Sequence, residues 1–371
     1  MKKINIIVFV ILNITTGVFA GGSLTPPAGT PAPTMKTLDE IDQSVSNTTA
    51  TVKIAEPRTP LVAGESGVYI NANGTISITQ SGSYYLTSNL TVSSLNGIVI
   101  NTNGVTLDLN GFTIRTSSAI ASGSGILIQG SNISICNGHI VSGTVYHSGA
   151  SGNQYTGPGF QNGIYAIDTY SNIRICDVFV SGCKFSGIDI KSKASLVESC
   201  TVKTVGATGI NAGVVNNCSA TTCGGMAIYG IQITDCRGVS TGSYGIFSNG
   251  TVANSYGYSA TDDGIHSNET IINSYGGTSG TAAFADGILA GSSVQNSHGY
   301  SAGGNGIQSY GTVANSYGYS RKGDGIQSRI ASYSYGRSNG PASWADGVES
   351  TIAIGCIAEG GENITHKYLM P

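Results

Sequence analysis

Charge is what this chain has least of. Only 10 % of its 371 residues are Asp, Glu, Lys or Arg, against roughly 25 % in an average soluble domain. Solubility therefore falls to Ser, Thr, Asn and Tyr. The net charge of -3 leaves no basic footprint, which excludes nucleic acid as a partner. Beyond residue 20 no apolar run is long enough to span a bilayer. No Cys-x-x-Cys pair occurs among the eight cysteines, so a zinc site is not expected. Nucleophile elbows and phosphate-binding loops are also missing.

Met1, Lys2 and Lys3 precede an apolar run from Ile4 to Ala20, and Val18, Phe19 and Ala20 form a small-residue cleavage site. This reads as a signal peptide, residues 1–20, and predicts an exported protein, secreted, periplasmic or at the cell surface, with no membrane span after cleavage. Residues 21–34 are a Pro/Gly-rich linker. Met35, Leu38, Ile41 and Val45 share one helical face, with Thr37 and Glu40 at capping-box spacing. A short capping helix and lead-in over 35–56 follows from this. Residues 363–371 read as a tail over the final coil. Without such cover, the open strand edge there favours end-to-end self-association.

The rest of the chain is organised by a repeat. Gly250 to Ser259 returns letter for letter as Gly311 to Ser320. A second unit, Gly-Ile, recurs at Gly264, Gly287, Gly306 and Gly325 and as Gly-Val at Gly347, in steps of 23, 19, 19 and 22 residues. A period near 20 signals a solenoid. Earlier Gly-Ile rungs reach back to Gly97, so residues 57–362 make about twelve coils, about 55 Å at roughly 4.8 Å each. One coil carries a surplus, Gly143 to Gly159, which reads as a projecting loop.

Alignment by column sharpens the repeat. Val252, Val197, Val215 and Ile233 fill a buried first column. Ser255, Cys200, Cys218 and Cys236 fill a small fourth one, read as buried thiols packing as small hydrophobes. A disulfide between neighbouring rungs is the alternative. The two columns stand three apart, whereas a strand alternates every second residue. A left-handed bend at the third column, Asn254, Asn273, Asn296 and Asn315, resolves the mismatch. Their amides then stack into an Asn ladder. The next columns point outward and become aromatic: Tyr256, Tyr275, His298, Tyr317 and Tyr335 in one, Tyr258, Tyr300 and Tyr319 beside it, broken by Gly277. The rings either stack to stabilise the sheet face or form a platform whose faces pack against sugar rings. Phe284 and Trp344, on two longer coils, are read either as loop-borne stacking residues or as packing of the insertions.

Glu56 to Pro60, Ile78 to Thr87 and Asn103 to Ile114, preceded by Met35 to Glu40, resemble the opening of secreted bacterial right-handed parallel β-helix-repeat proteins. That resemblance implies an all-β, single-stranded right-handed parallel β-helix, the pectate-lyase-like superfamily fold. It implies no particular activity. The family pattern of polygalacturonases is incomplete: Asp262 and Asp263 are present, but no Gly-His-Gly follows, and Arg329 and Ile330 continue with Ala331 rather than Lys. Asp189, Lys191, Lys193 and Glu198 form the most lyase-like cluster. Asp263, Asp286, Asp324 and Asp346, with Asn305 on one rung, stack before the Gly-Ile strands and read as turn residues. His266 reads as a solvated histidine close to Asp262.

Two function classes follow. One is a β-helix that is structural or binds a polysaccharide or cell-surface glycan through its tyrosine face, with no metal or cofactor. The other is a lyase or glycoside hydrolase acting on an acidic polysaccharide, which would need calcium if a lyase. No catalytic residue is assigned.

Overall fold

The computed structural model describes residues 40–43 and 57–370, except 94, 150–151, 342–344 and 361–363, and in 364–370 the backbone alone. The chain divides into two units, Met1–Glu56 and Pro57–Pro371. In the first, residues 40–43 form one helical turn. The signal segment, the linker and the remainder of the expected capping helix lie outside the described residues, as does Trp344. No helix among the described residues is long and apolar enough to cross a membrane.

The second unit is a right-handed parallel β-helix. The Gly-Ile strands stand in register from Ile76 through Ile98, Ile126 and Ile164 to Ile326, Val348 and the backbone of Ile364. That column amounts to about thirteen coils, close to the twelve expected. A representative coil has three short strands, Ile265–Ser267, Thr270–Ile272 and Tyr275–Thr278. Each pairs in parallel with its counterpart one coil on. The first strand follows the Gly-Ile glycine, the second ends at the Asn bend, and the third carries the tyrosines. Val68–Ile70 runs antiparallel to Ile76–Ile78 where the unit begins. Residues 364–370, read from the sequence as a tail, pair in parallel with Val348–Ile354 and carry the ladder one strand further.

The core is a set of single-residue columns. Ile246, Ile265, Ile288, Ile307 and Ile326 are fully buried on the first strand, and Val252, Ile271, Val294 and Val313 on the second. Burying each such side chain is worth roughly 1.5–3 kcal/mol. The third strand contributes Gly257, Gly276, Gly299 and Gly318 inward. A Cβ at Gly299 would meet the carbonyl oxygen of Gly306 at 2.0 Å, so glycine is required for the walls to approach this closely.

The predicted bend recurs on each rung from Asn110 to Gly355. Asn110, Asn137, Asp177, Ser199, Asn217, Asp235, Asn254, Asn273, Asn296, Asn315, Tyr333 and Gly355 all have φ between 48 and 61° or close to it, at 47° for Tyr333. Amides link along it, Asn273 to Asn254 and Asn296 to Asn273 at 3.2 Å. The following column is buried, as expected, but it is more than a ladder of small apolar groups. The hydroxyl of Ser297 donates to the carbonyl of Gln295 at 2.7 Å and accepts the backbone N–H of Ser274, one coil earlier, at 3.1 Å. The same relay runs through Ser255, Ser274, Ser316 and Ser334. Cys236 and Cys218 continue it, their Sγ atoms accepting the N–H of Cys218 and Cys200 at 3.4 Å. A bend that breaks the strand leaves an amide with no ladder partner, and the side chain of the next rung supplies one. Serine and cysteine recur here because each is small and hydrogen-bonds through Oγ or Sγ. All eight cysteines are free thiols.

The surplus in residues 143–159 does not project. Its described residues form an antiparallel pair, Val145–His147 with Gln154–Thr156, laid across the loops of later coils. The Tyr155 hydroxyl bonds the Thr241 hydroxyl at 2.9 Å, and Asn153 Nδ2 donates to the Thr241 carbonyl at 2.9 Å. A Cβ at Gly224 would come within 2.8 Å of the Tyr155 ring, so the pair needs that glycine beneath it.

The relay makes a direct prediction. Ser297→Ala orphans the amide of Ser274 and is expected to destabilise the protein by about 1–3 kcal/mol. Ser297→Cys, which keeps an acceptor as Cys236 does, is expected to cost clearly less. Urea-unfolding midpoints measure both; equal losses would show that volume, not hydrogen bonding, selects this column.

Candidate functional site

The bend and the relay together shape the surface. Each coil turns concavely at its Asn, and the stacked turns form a groove of about 1020 Å³ running along the axis from the coil of Cys200 to that of Ile357. Its floor is the Asn and Ser columns. One wall is the first aromatic column, in register on successive third strands as the spacing predicts.

The rings touch throughout. Tyr256 and Tyr275 stack with centroids 5.1 Å apart and planes within 4°; Tyr317 and Tyr335 stack at 5.1 Å and 6°. His298 stands edge-on between Tyr275 and Tyr317, at 5.0 and 4.6 Å. Burial between its neighbours lowers the His298 pKa, so the groove wall is neutral at pH 7. In the second column Tyr300 stacks on Tyr319 at 5.6 Å, and Arg321 and Arg337 lie over Tyr300 and Tyr319 at 5.8 and 5.7 Å. The gap at Gly277 has a reason: a Cβ there would sit 3.0 Å from the Tyr275 ring and 3.3 Å from that of Tyr258.

The stacking corrects one expectation. Rings 5.1 Å apart and parallel turn their faces to each other, so those faces are not open to a sugar. The free end of the column is covered too, since the guanidinium of Arg237 lies 5.4 Å from the Tyr256 ring. What the wall offers the groove is ring edges and hydroxyls. An open ring is supplied instead by a residue that column reading passed over. Tyr333 takes the left-handed bend position where the preceding rungs have Asn, at φ 47°. It is 70 % exposed and lines the C-terminal end of the groove. A bulky residue with positive φ is an outlier, and such strain concentrates at functional positions. A Cβ at Gly355 would lie 3.0 Å from the Tyr333 ring, so glycine on the next rung makes room for it. The signal was in the sequence: Tyr333 breaks the Asn column. Phe284 is 73 % exposed and does not line the groove.

The acidic column lies elsewhere, in the loops before the Gly-Ile strands. Its turn role is evident in the geometry. Asp263 Oδ1 accepts the backbone N–H of Asp286 at 2.8 Å, Asp286 Oδ1 that of Asn305 at 2.6 Å, Asn305 Oδ1 that of Asp324 at 2.8 Å, and Asp324 Oδ1 that of Asp346 at 2.8 Å. Burial raises the pKa of Asp263, and that of Asp286 more strongly. Asp324 is pushed up to about 7, by burial first and then by the neighbouring Glu349 carboxylate. His266 pairs with Asp263 rather than Asp262, Nδ1 to Oδ2 at 3.0 Å. The lyase-like cluster does not converge: Glu198 is ion-paired with Arg174, Asp189 accepts from Asn211 at 2.7 Å, and Lys191 lies 5.4 Å from the Tyr165 ring. Among the described residues no group of three or more His, Cys, Asp or Glu is placed to hold a metal ion.

Among solved structures, the A-module of mannuronan C-5 epimerase AlgE4 from Azotobacter vinelandii is similar, at a TM-score of 0.36 and 12 % identity over 78 % of this chain and 91 % of that one. No family model and no curated protein matches the chain.

The acidic column predicts a pH dependence. The unfolded chain releases carboxyl protons near pH 4, whereas folded Asp324 holds its proton up to about 7. This stabilisation is full below about pH 4 and is lost as pH rises through about 7. The urea midpoint is expected to be lower at pH 8 than at pH 5, with the difference reduced in Asp324→Asn, which reproduces what Asn305 does one rung away. A midpoint that rises over this range would contradict the assignment.

Proposed function

We propose that the chain binds an extended, uncharged polysaccharide lengthwise in the groove. The observation that carries this reading is the groove's chemistry. Of its lining residues only Asp235 and Arg237 bear formal charges, and they oppose each other; the rest are mainly Asn, Ser and Tyr. Asn amides repeat on the coils of Asn254, Asn273, Asn296 and Asn315, at roughly 4.8 Å each, with tyrosine hydroxyls beside them, along a path that suits a polymer of hydroxyl-bearing units better than a compact ligand. Tyr256, Tyr275, His298, Tyr317 and Tyr335 contribute edges and polar tips, whereas Tyr258, Tyr300 and Tyr319 do not line the groove. Tyr333 supplies the stacking platform at one end. Sites of this kind combine a few oriented polar groups with aromatic surface. An acidic polymer would find no complementary array of cations here.

Affinity electrophoresis in gels containing neutral or acidic polysaccharides tests this. Retardation is expected in at least one neutral gel, and none in alginate or polygalacturonate. Tyr333→Ser is expected to weaken retardation about tenfold, the loss of one stacking contact of about 1–2 kcal/mol, and Tyr256→Ser with Tyr275→Ser and Tyr317→Ser to abolish it. Retardation by acidic polymers alone would overturn the reading in favour of an acidic-polysaccharide ligand.

A further inference from the structure

The repeat acts as its own control. What recurs on every rung is what the coil requires, and a departure on one rung calls for another explanation. The acidic column has one such departure. Each of Asp263, Asp286, Asn305 and Asp324 gives Oδ1 to the backbone N–H of the next rung. Only at Asp263 does the second oxygen hold an imidazole. Three residues on from each column member, on the outward position of the Gly-Ile strand, stand His266, Leu289, Gln308 and Gln327 in register. The coil therefore stands without a histidine at this position.

The geometry around His266 is organised. Asp263 is 2 % exposed and fixed by the amide of Asp286, so it is a rigid acceptor. An ionised Asp263 can only accept, so the contact from its Oδ2 to Nδ1 calls for the ring proton on Nδ1 and leaves Nε2 as the unprotonated nitrogen. The ring is held on two sides, stacked on Phe247 at 4.7 Å and edge-on to Tyr244 at 5.3 Å. Burial first, and then Asp262 and Asp263, raise the Tyr244 pKa, so the hydroxyl of this neighbouring ring remains a hydrogen-bond donor. A buried carboxylate, an oriented imidazole and an adjacent donor are the components of general-base catalysis at a carbonyl.

We infer that His266, positioned by Asp263 and assisted by Tyr244, is a general base that hydrolyses neutral acyl esters with water as the nucleophile. Nε2 takes a proton from water as the water oxygen bonds to the acyl carbon, and the carbonyl electron pair moves onto oxygen, where the Tyr244 hydroxyl donates to it. The bond from the acyl carbon to the ester oxygen then breaks, and the imidazolium returns its proton to the leaving alkoxide. One ester and one water give one carboxylic acid and one alcohol, and His266 ends as it began. Phe247 and Tyr244 provide apolar walls, and Asp262 and Asp263 disfavour an anionic substrate, hence the restriction to neutral esters. The site lies on the Gly-Ile face, not in the groove, so its test is independent of polysaccharide binding.

The full-length protein is assayed with 4-nitrophenyl acetate against free imidazole at five equivalents, one for each histidine of the chain. Wild type is expected to exceed that control by about 100-fold or more, within the usual range for general-base catalysis. His266→Gln is expected to fall to the control. Asp263→Asn, a residue the column already tolerates at Asn305, is expected to lose about tenfold or more through misorientation. Tyr310→Ser, at a tyrosine that is 62 % exposed and belongs to neither site, is expected to change nothing. The tautomer gives a readout that a merely structural aspartate would not move: ¹⁵N spectra of the His266 ring should show the proton on Nδ1 in wild type and not in Asp263→Asn. A wild-type rate no greater than the control, full activity in His266→Gln, or a proton on Nε2 would each overturn the proposal.

Discussion

The structure depends on how a parallel strand is turned through a sharp corner without stranding an amide. A left-handed residue makes the corner, but it breaks the alternation that keeps backbone groups paired between coils. The Oγ or Sγ of the next residue repairs the break by accepting an N–H from the preceding coil, and Oγ also donates within its own. An orphaned buried amide costs about 1–3 kcal/mol, and the cost would recur on every rung. The chain's high content of Ser and Asn is therefore structural before it is functional, and it explains how so few charges suffice.

That constraint also generates the groove. Because the corner is concave and its position is fixed from Asn217 to Gly355, a polymer lying along it would meet the same amide on the four coils from Asn254 to Asn315. The aromatic wall is a consequence of register. Once Tyr256 and Tyr275 stand directly opposite each other on paired strands, their rings either stack or collide. Stacking stiffens the wall at the expense of its faces. The ring of Tyr333, at a strained backbone position, is by contrast left open.

Much of this was legible in the sequence because a solenoid turns linear spacing into columns. The three-residue interval between Val252 and Ser255, impossible for a straight strand, located the bend, and the recurrence of Asn there identified its conformation. Spacing reports burial but not bonding, which is why the Ser/Cys column looked merely small. Spacing also gives which residues are neighbours but not the angle between them, so the closed faces of Tyr256 and Tyr275 were invisible. The segment of residues 143–159 departs from the period, and nothing in its own sequence names Thr241, 86 residues from Tyr155, as its anchor. His266 reads from the sequence as a solvated histidine near Asp262, because sequence proximity cannot say which of two adjacent carboxylates turns inward.

The buried carboxylates follow a logic opposite to that of the groove. Asp263, Asp286 and Asp324 each cap an amide that Asn can equally cap, as Asn305 does, yet like charges at neighbouring rungs repel and burial penalises each one further. A column selected for stability alone would drift towards Asn. Asp286, against Leu289, shows that the acid persists where no imidazole needs it, so the column as a whole cannot be ascribed to the dyad. What distinguishes the rung of Asp263 is that its second oxygen has an imidazole for a partner. The excess over what the fold requires is thus concentrated in two places on different faces: the uncharged corner ending at Tyr333, and one oriented imidazole among the acids.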